Sequence, residues 1–168
     1  TLIDDRMVSF FADYPPQRLN ITLYGTSEDT YANLCGNRSA FNKVIYAINA
    51  LNNAGVNIKL NYSINPFNKH EMLQAYDFAK SIGVHIQPVS YMFPPLRASC
   101  DCEPVRLSPE EAARAHFDWQ LHHFGPENFK NYLKNIRRGV IPEDFGEICV
   151  DKTGEKINCR AGSTVFWV

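Results

Sequence analysis

The chain has 168 residues, 45% of them apolar and 21% charged, enough for one domain with its own core and too apolar for a disordered segment. Its formal net charge of −1 leaves no broad basic field for nucleic acid or an anionic membrane, and no run of about 18 apolar residues offers a bilayer span. The cysteines, Cys35, Cys100, Cys102, Cys149 and Cys159, form an odd, scattered set that suits a reducing cytoplasm better than a secreted disulfide framework.

In chain order, Asp4 to Ala12 carries Met7, Val8, Phe10 and Phe11 and predicts a short amphipathic helix, stopped by Tyr14-Pro15-Pro16. Leu19, Ile21 and Leu23 then alternate with Asn20, Thr22 and Tyr24, the period of a strand, which Gly25 ends. Residues Asn33 to Ser39 read as a loop. Phe41, Val44, Ile45, Ile48 and Leu51 recur at three-and-four spacing and predict one apolar helix face, closed by Gly55 as a left-handed cap.

A second alternating strand follows, with Ile58, Leu60, Tyr62 and Ile64 set against Asn57, Lys59, Asn61 and Ser63. Asn68-Lys69-His70-Glu71 resembles a capping box for the helix built on Met72, Leu73, Tyr76, Phe78, Ala79 and Ile82, which Gly83 stops. Val84, Ile86 and Val89 open a third strand, ended near Pro94-Pro95. Ser108-Pro109-Glu110-Glu111 is a strong helix start, and Pro126 to Arg138 predicts a further helix with Phe129, Tyr132, Leu133 and Ile136 on one face. In the tail, Ile148-Cys149-Val150, Asp151-Lys152-Thr153-Gly154 and Ile157 read as a β-hairpin.

Strand, helix, strand, helix, strand with short links is the pattern of βαβ units and a parallel sheet. Parallel strands buried on both faces read as continuous apolar runs, whereas these three alternate. Their polar set is Asn20, Thr22, Tyr24, Asn57, Lys59, Asn61, Ser63, His85 and Gln87, and helices on one side cover only the apolar set. The polar faces are therefore expected to line something wet or occupied, best matched by a barrel lumen that holds a polar ligand. The expected class is α/β: a partial (β/α) barrel segment with parallel strands, followed by helices and a C-terminal β-hairpin.

Ile21-Thr22-Leu23-Tyr24-Gly25-Thr26, followed by Glu28, Tyr31, Gly36, Phe41 and Val44, resembles the fourth strand and following helix of radical SAM enzymes. The resemblance continues through Leu51-Asn52-Asn53-Ala54-Gly55-Val56 into Asn65-Pro66-Phe67-Asn68, where Asn68 takes the place of the family's Asn after the fifth strand. Tyr24 departs from the Asp usual in the family's wording. The resemblance implies that residues 1–97 are part of a radical SAM barrel, with Thr22, Asn61 and Ser63 facing S-adenosylmethionine through hydroxyl and amide groups. Arg38 is a further candidate, as a partner for a carboxylate.

Cys159-Arg160-Ala161-Gly162-Ser163-Thr164-Val165-Phe166-Trp167 is similar to the opening of a SPASM domain, the auxiliary-cluster extension of many peptide-modifying members. It implies residues 146–168 as the start of that domain, residues 98–145 as a helical linker, and Cys159 as one cluster ligand where an iron–sulfur cluster takes about four. The implied parent is an enzyme that cleaves S-adenosylmethionine reductively, using a [4Fe-4S] cluster, to make a radical acting on a peptide or protein substrate.

The C-x-x-x-C-x-x-C motif that anchors that cluster does not occur in this sequence. The chain also opens without Met and stops on an apolar strand, Thr164 to Val168, so it reads as a fragment, inactive alone and without bound cofactor. Such a fragment leaves raw sheet edges and an open inner face, and is expected to self-associate or to fold the Ser108 helix over that face.

Two other readings stay open. One is a cluster-free domain that binds a nucleotide or metabolite, against which no Gly-rich phosphate loop follows any strand. The other is a structural or partner-binding segment. Cys100-Asp101-Cys102 is too tight for a zinc knuckle and reads as two loop thiols, and no disulfide between Cys149 and Cys159 is assigned. None of the histidines forms an i, i+4 ligand pair, and His85 alone is a candidate for proton chemistry at the lumen.

Overall fold

A computed structural model of the chain describes residues 2–90, 105–138 and 166–167. In chain order these form α1 (Asp5–Asp13), β1 (Leu19–Thr22), α2 (Glu28–Cys35), α3 (Ala40–Asn53), β2 (Ile58–Ser63), α4 (Met72–Ser81), β3 (His85–Val89), α5 (Pro109–Phe124), α6 (Pro126–Arg137) and β4 (Phe166–Trp167). A single 3-10 turn, Lys69–Glu71, leads into α4.

β1, β2 and β3 lie side by side in chain order and pair in parallel, Leu19 opposite Ile58 and Lys59 opposite His85. The two residues of β4 add to the free side of β1, also in parallel, with Phe166 opposite Leu19. Among the described residues β3 stands at one edge of the sheet. The parallel α/β arrangement expected from the alternating elements is present, and the described strands do not close into a barrel. The residues of the expected hairpin, 148–157, lie outside the described ones.

The register explains the alternation. Ile21, Leu60 and Ile86 stand abreast and are buried, as are Leu19 and Ile58 in the row before. Asn20, Lys59 and His85 form the intervening row on the other face, and Thr22, Asn61 and Gln87 the next row on that face. Val44, Ala47, Ile48 and Leu51 of α3 and Ala75, Tyr76 and Ala79 of α4 join the apolar rows in one core. Period two in the strands and period 3.6 in the helices thus converge on one layer interface.

α5 adds to this same side of the sheet. Trp119, only 3% exposed, stacks on Tyr62 at 6.3 Å and meets Tyr76 edge-on at 5.4 Å. Tyr62 alternates with the polar residues of β2, so this contact seats α5 on the apolar layer. The Ser108 helix therefore does not fold over the polar face as one expectation had it. Its apolar stripe of Ala112, Ala115 and Trp119 is buried, and burial of an aromatic ring of this size outweighs cover for a polar surface. The Ser108 capping box is formed in both directions, with Glu111 N donating to Ser108 Oγ and Ser108 N to Glu111 Oε2.

Two local expectations need correction. Residues 28–35, partly assigned to a loop, are helical: Ser27 caps the helix by accepting from Thr30 N, and Gly36 ends it at φ +66. At Asn68–Glu71 there is no capping box. Neither side chain caps α4, because both bond to loops on the far side of the strand ends.

Candidate functional site at the carboxyl ends of the strands

The loops after β1 and β2 are tied together by two buried polar side chains. Asn68 is fully buried, and its Oδ1 accepts from Asn65 N at 2.8 Å. Its Nδ2 donates to Tyr24 O at 2.9 Å and to Ser63 O at 3.0 Å, so one amide bridges the ends of two adjacent strands. Tyr62 Oη donates to Asn68 O at 2.8 Å and holds the same turn from beneath.

Glu71, 7% exposed, reaches back across the loop that follows β1. Its carboxylate accepts from Thr26 N at 2.6 Å and from Ser27 Oγ, the hydroxyl that also caps α2. Burial pushes this carboxyl up, but hydrogen bonds from Ser27, Thr26 and Thr30, with His70 nearby, outweigh it and hold Glu71 below the usual carboxylate range. Tyr31 Oη accepts from Tyr24 N at 3.3 Å, and burial raises its own phenol to about 12.

Gly25 is required where these groups converge. A Cβ there would stand 2.4 Å from Thr30 Cγ2 and 2.6 Å from Glu71 Oε2, closer than packed atoms approach. Gly25→Ala is expected to destabilise the chain by about 1–3 kcal/mol through overpacking, and urea denaturation checks it. A stability equal to the parent's would show that the loop yields freely.

This clamp frames the polar sheet face. Thr22 and Asn61 are register partners, and Ser63 lies two residues beyond Asn61 on the same face. All three are half-buried. Asn61 Nδ2 is closed off from solvent with no hydrogen-bond partner among the described residues. A buried donor of this kind costs about 1–3 kcal/mol until an acceptor meets it, so its presence marks a place where an acceptor fits. Asn20, expected on a wet surface, is 5% exposed, while Tyr24, His85 and Gln87 are open to solvent.

The other expected site residues lie elsewhere. Arg38 sits in the turn between α2 and α3 with its guanidinium engaged by Asp29 and Glu28. It is exposed, and the structure does not join it to Thr22, Asn61 and Ser63. Cys159 falls outside the described residues. Cys35 is a free, exposed thiol at the end of α2, raised by partial burial. No group of three His, Cys, Asp or Glu side chains among the described residues stands together as a metal site. His85 lies on the polar face, its imidazole held below its ordinary value by desolvation and by Lys59, His123 and Arg18.

Glu71 and Tyr31 were missed as site-forming residues. Ser27 followed by two acids marks a capped helix start, so the sequence carried a signal for that half of the clamp. Nothing local tells that Glu71 bonds to residues 44 and 45 positions earlier. A separate cavity of about 530 Å³ opens between α5 and α6, lined by Phe117, Phe129, Tyr132 and Ile136 among others. It lacks the converging polar groups of the strand ends. No helix among the described residues is long and apolar enough to cross a membrane.

No protein-family model matches the chain, and no curated protein matches it at a significant level.

Proposed function

We propose that this chain is part of a radical SAM barrel and that its polar sheet face takes the adenosyl and methionyl parts of S-adenosylmethionine. The observation that carries the reading is the buried Asn61 Nδ2, without a partner among the described residues, beside Thr22 at the carboxyl ends of parallel strands where such folds bind ligands. The residues fit that group. Thr22 and Ser63 offer hydroxyls that donate or accept, and Asn61 offers a donor and an acceptor, the set that ribose hydroxyls and an α-amino acid call for.

In this reading the Asn68 and Glu71 bridges hold the loops after β1 and β2 at fixed separation, so the hydroxyl and amide groups meet the ligand already oriented. When bound in the whole protein, the cluster and S-adenosylmethionine together supply a radical for hydrogen abstraction. The described residues hold no cluster ligands, and their part is to bind and orient. The similarity of Cys159–Trp167 to a SPASM opening supports a peptide or protein substrate for the parent, a cytoplasmic enzyme, with this chain inactive by itself. The β3 edge, unpaired among the described residues, supports self-association of the chain.

Calorimetric titration of the chain with S-adenosylmethionine tests the reading. Binding in the micromolar to millimolar range is expected, weakened at least about tenfold in Asn61→Leu, a loss of roughly 1.4 kcal/mol. Unchanged affinity in the variant would move the ligand away from this face. Iron and sulfide analysis of the longer parent separates a radical enzyme from a cluster-free binding domain.

A further inference from the structure

The polar face has a second buried donor that the proposed cofactor does not use. Arg18 stands one residue before β1, in alternation with Asn20 and Thr22, and so belongs to the polar side of the sheet. Its Nε is closed off from solvent with no hydrogen-bond partner among the described residues. A guanidinium nitrogen shielded in this way has lost its water without gaining an acceptor, an arrangement that a bound oxyanion corrects.

Other basic groups share its face among the described residues. Lys59 of β2 is the register partner of Asn20 and of His85, so it stands at the centre of the row next to Arg18. Its ammonium donates to Gln87 Oε1, in the row of Thr22 and Asn61, and so lies between the two rows of the polar face. His85 is flanked by Lys59, Arg18 and, from α5, His123, and all three disfavour its protonation. Lys59 and His85 thus stand with Asn20 one row below Thr22 and Asn61, and Arg18 lies two residues before Asn20, further toward the amino-terminal ends.

We propose that this end of the polar face binds the oxyanion of a small molecule, a phosphate or a carboxylate, between the Arg18 guanidinium and the Lys59 ammonium. Arg18 supplies a planar fork of donors and Lys59 a point charge, the pairing that recognises such groups. The site is separate from the one assigned to S-adenosylmethionine and does not depend on that assignment.

The test is a pH titration of the His85 ring proton by NMR, on the full chain, at matched ionic strength in chloride, inorganic phosphate and succinate. An oxyanion seated beside Arg18 and Lys59 offsets the cations around His85, so its midpoint is expected to rise by on the order of half a unit in the preferred anion. Phosphate giving the larger rise identifies a phosphorylated ligand, and succinate a carboxylate. In Arg18→Gln the rise should vanish. As a check on the unaltered protein, the Arg18 Nε resonance should shift saturably with the same anion. A midpoint equal in all three salts, a rise undiminished in Arg18→Gln, or an Arg18 Nε signal that does not move would overturn the proposal.

Discussion

Asn68→Ala is expected to cost about 3 kcal/mol, because the three hydrogen bonds of a fully buried side chain are lost together. Their partners are Asn65 N, Tyr24 O and Ser63 O, of which Ser63 O keeps a second donor in Asn65 Nδ2 at 3.2 Å. For a chain of this size the loss corresponds to roughly 6–12 °C in melting temperature. Asn68→Asp should do at least as much damage. It keeps the acceptor but removes both donated bonds and sets a carboxylate against two carbonyl oxygens. Denaturation in urea measures both, and a loss below about 1 kcal/mol for either would mean that the strand ends are held by other contacts.

The second large effect is at Glu71. Glu71→Ala leaves Thr26 N and Ser27 Oγ without their acceptor, an expected loss of about 2–4 kcal/mol. Glu71→Gln should cost less, since its amide oxygen still accepts one of the two bonds. The pH dependence separates charge from shape. The Glu71 carboxyl is held lower in the folded chain than its ordinary value. Its stabilising contribution is therefore complete above about pH 4.5, near the unfolded value, and is lost as pH falls through the lower folded value. The parent should lose stability over that acid range more steeply than Glu71→Gln, so the gap between them narrows on acidification. A gap that stays constant from pH 7 to pH 3 would show that the charge of Glu71 contributes nothing.

Asn68 and Glu71 act on the same pair of loops, so their effects should not add. In Asn68→Ala the β1 loop is already released, and a further Glu71→Ala change is expected to cost less than it does alone.

Much of this arrangement was legible in the sequence. Leu19, Ile21 and Leu23 against Asn20, Thr22 and Tyr24 gave the strand and its two faces, because a one-residue alternation directs neighbours to opposite sides. Gly55 and Gly83 marked helix ends, and both adopt the positive φ that such an end requires. The Ser108 capping box is local chemistry within one helical turn, and it forms as read.

The Asn68–Glu71 segment shows where sequence reading stops. The same residue types at the same spacing make a capping box in one context and a bridge between strand ends in another. Here the competing partners, Tyr24 O and Thr26 N, lie 44 and 45 residues away in sequence and become neighbours only once β1 and β2 pair. α2 was partly overlooked because its apolar face is short, although Ser27 and Gly36 bracket it. The α5 position was misjudged for a related reason. An exposed polar face suggests a cover, but Trp119 gains more by packing on Tyr62 and Tyr76.

The most direct test of the account follows the Asn61 side-chain amide in nitrogen–proton spectra of the full chain as S-adenosylmethionine is added. The Asn61 amide and the Thr22 backbone signal are expected to shift together and saturate together, while Arg38 and the α5–α6 cavity residues stay in place. Saturable shifts centred on α5 and α6, or an Asn61 signal that does not move at millimolar ligand, would contradict it.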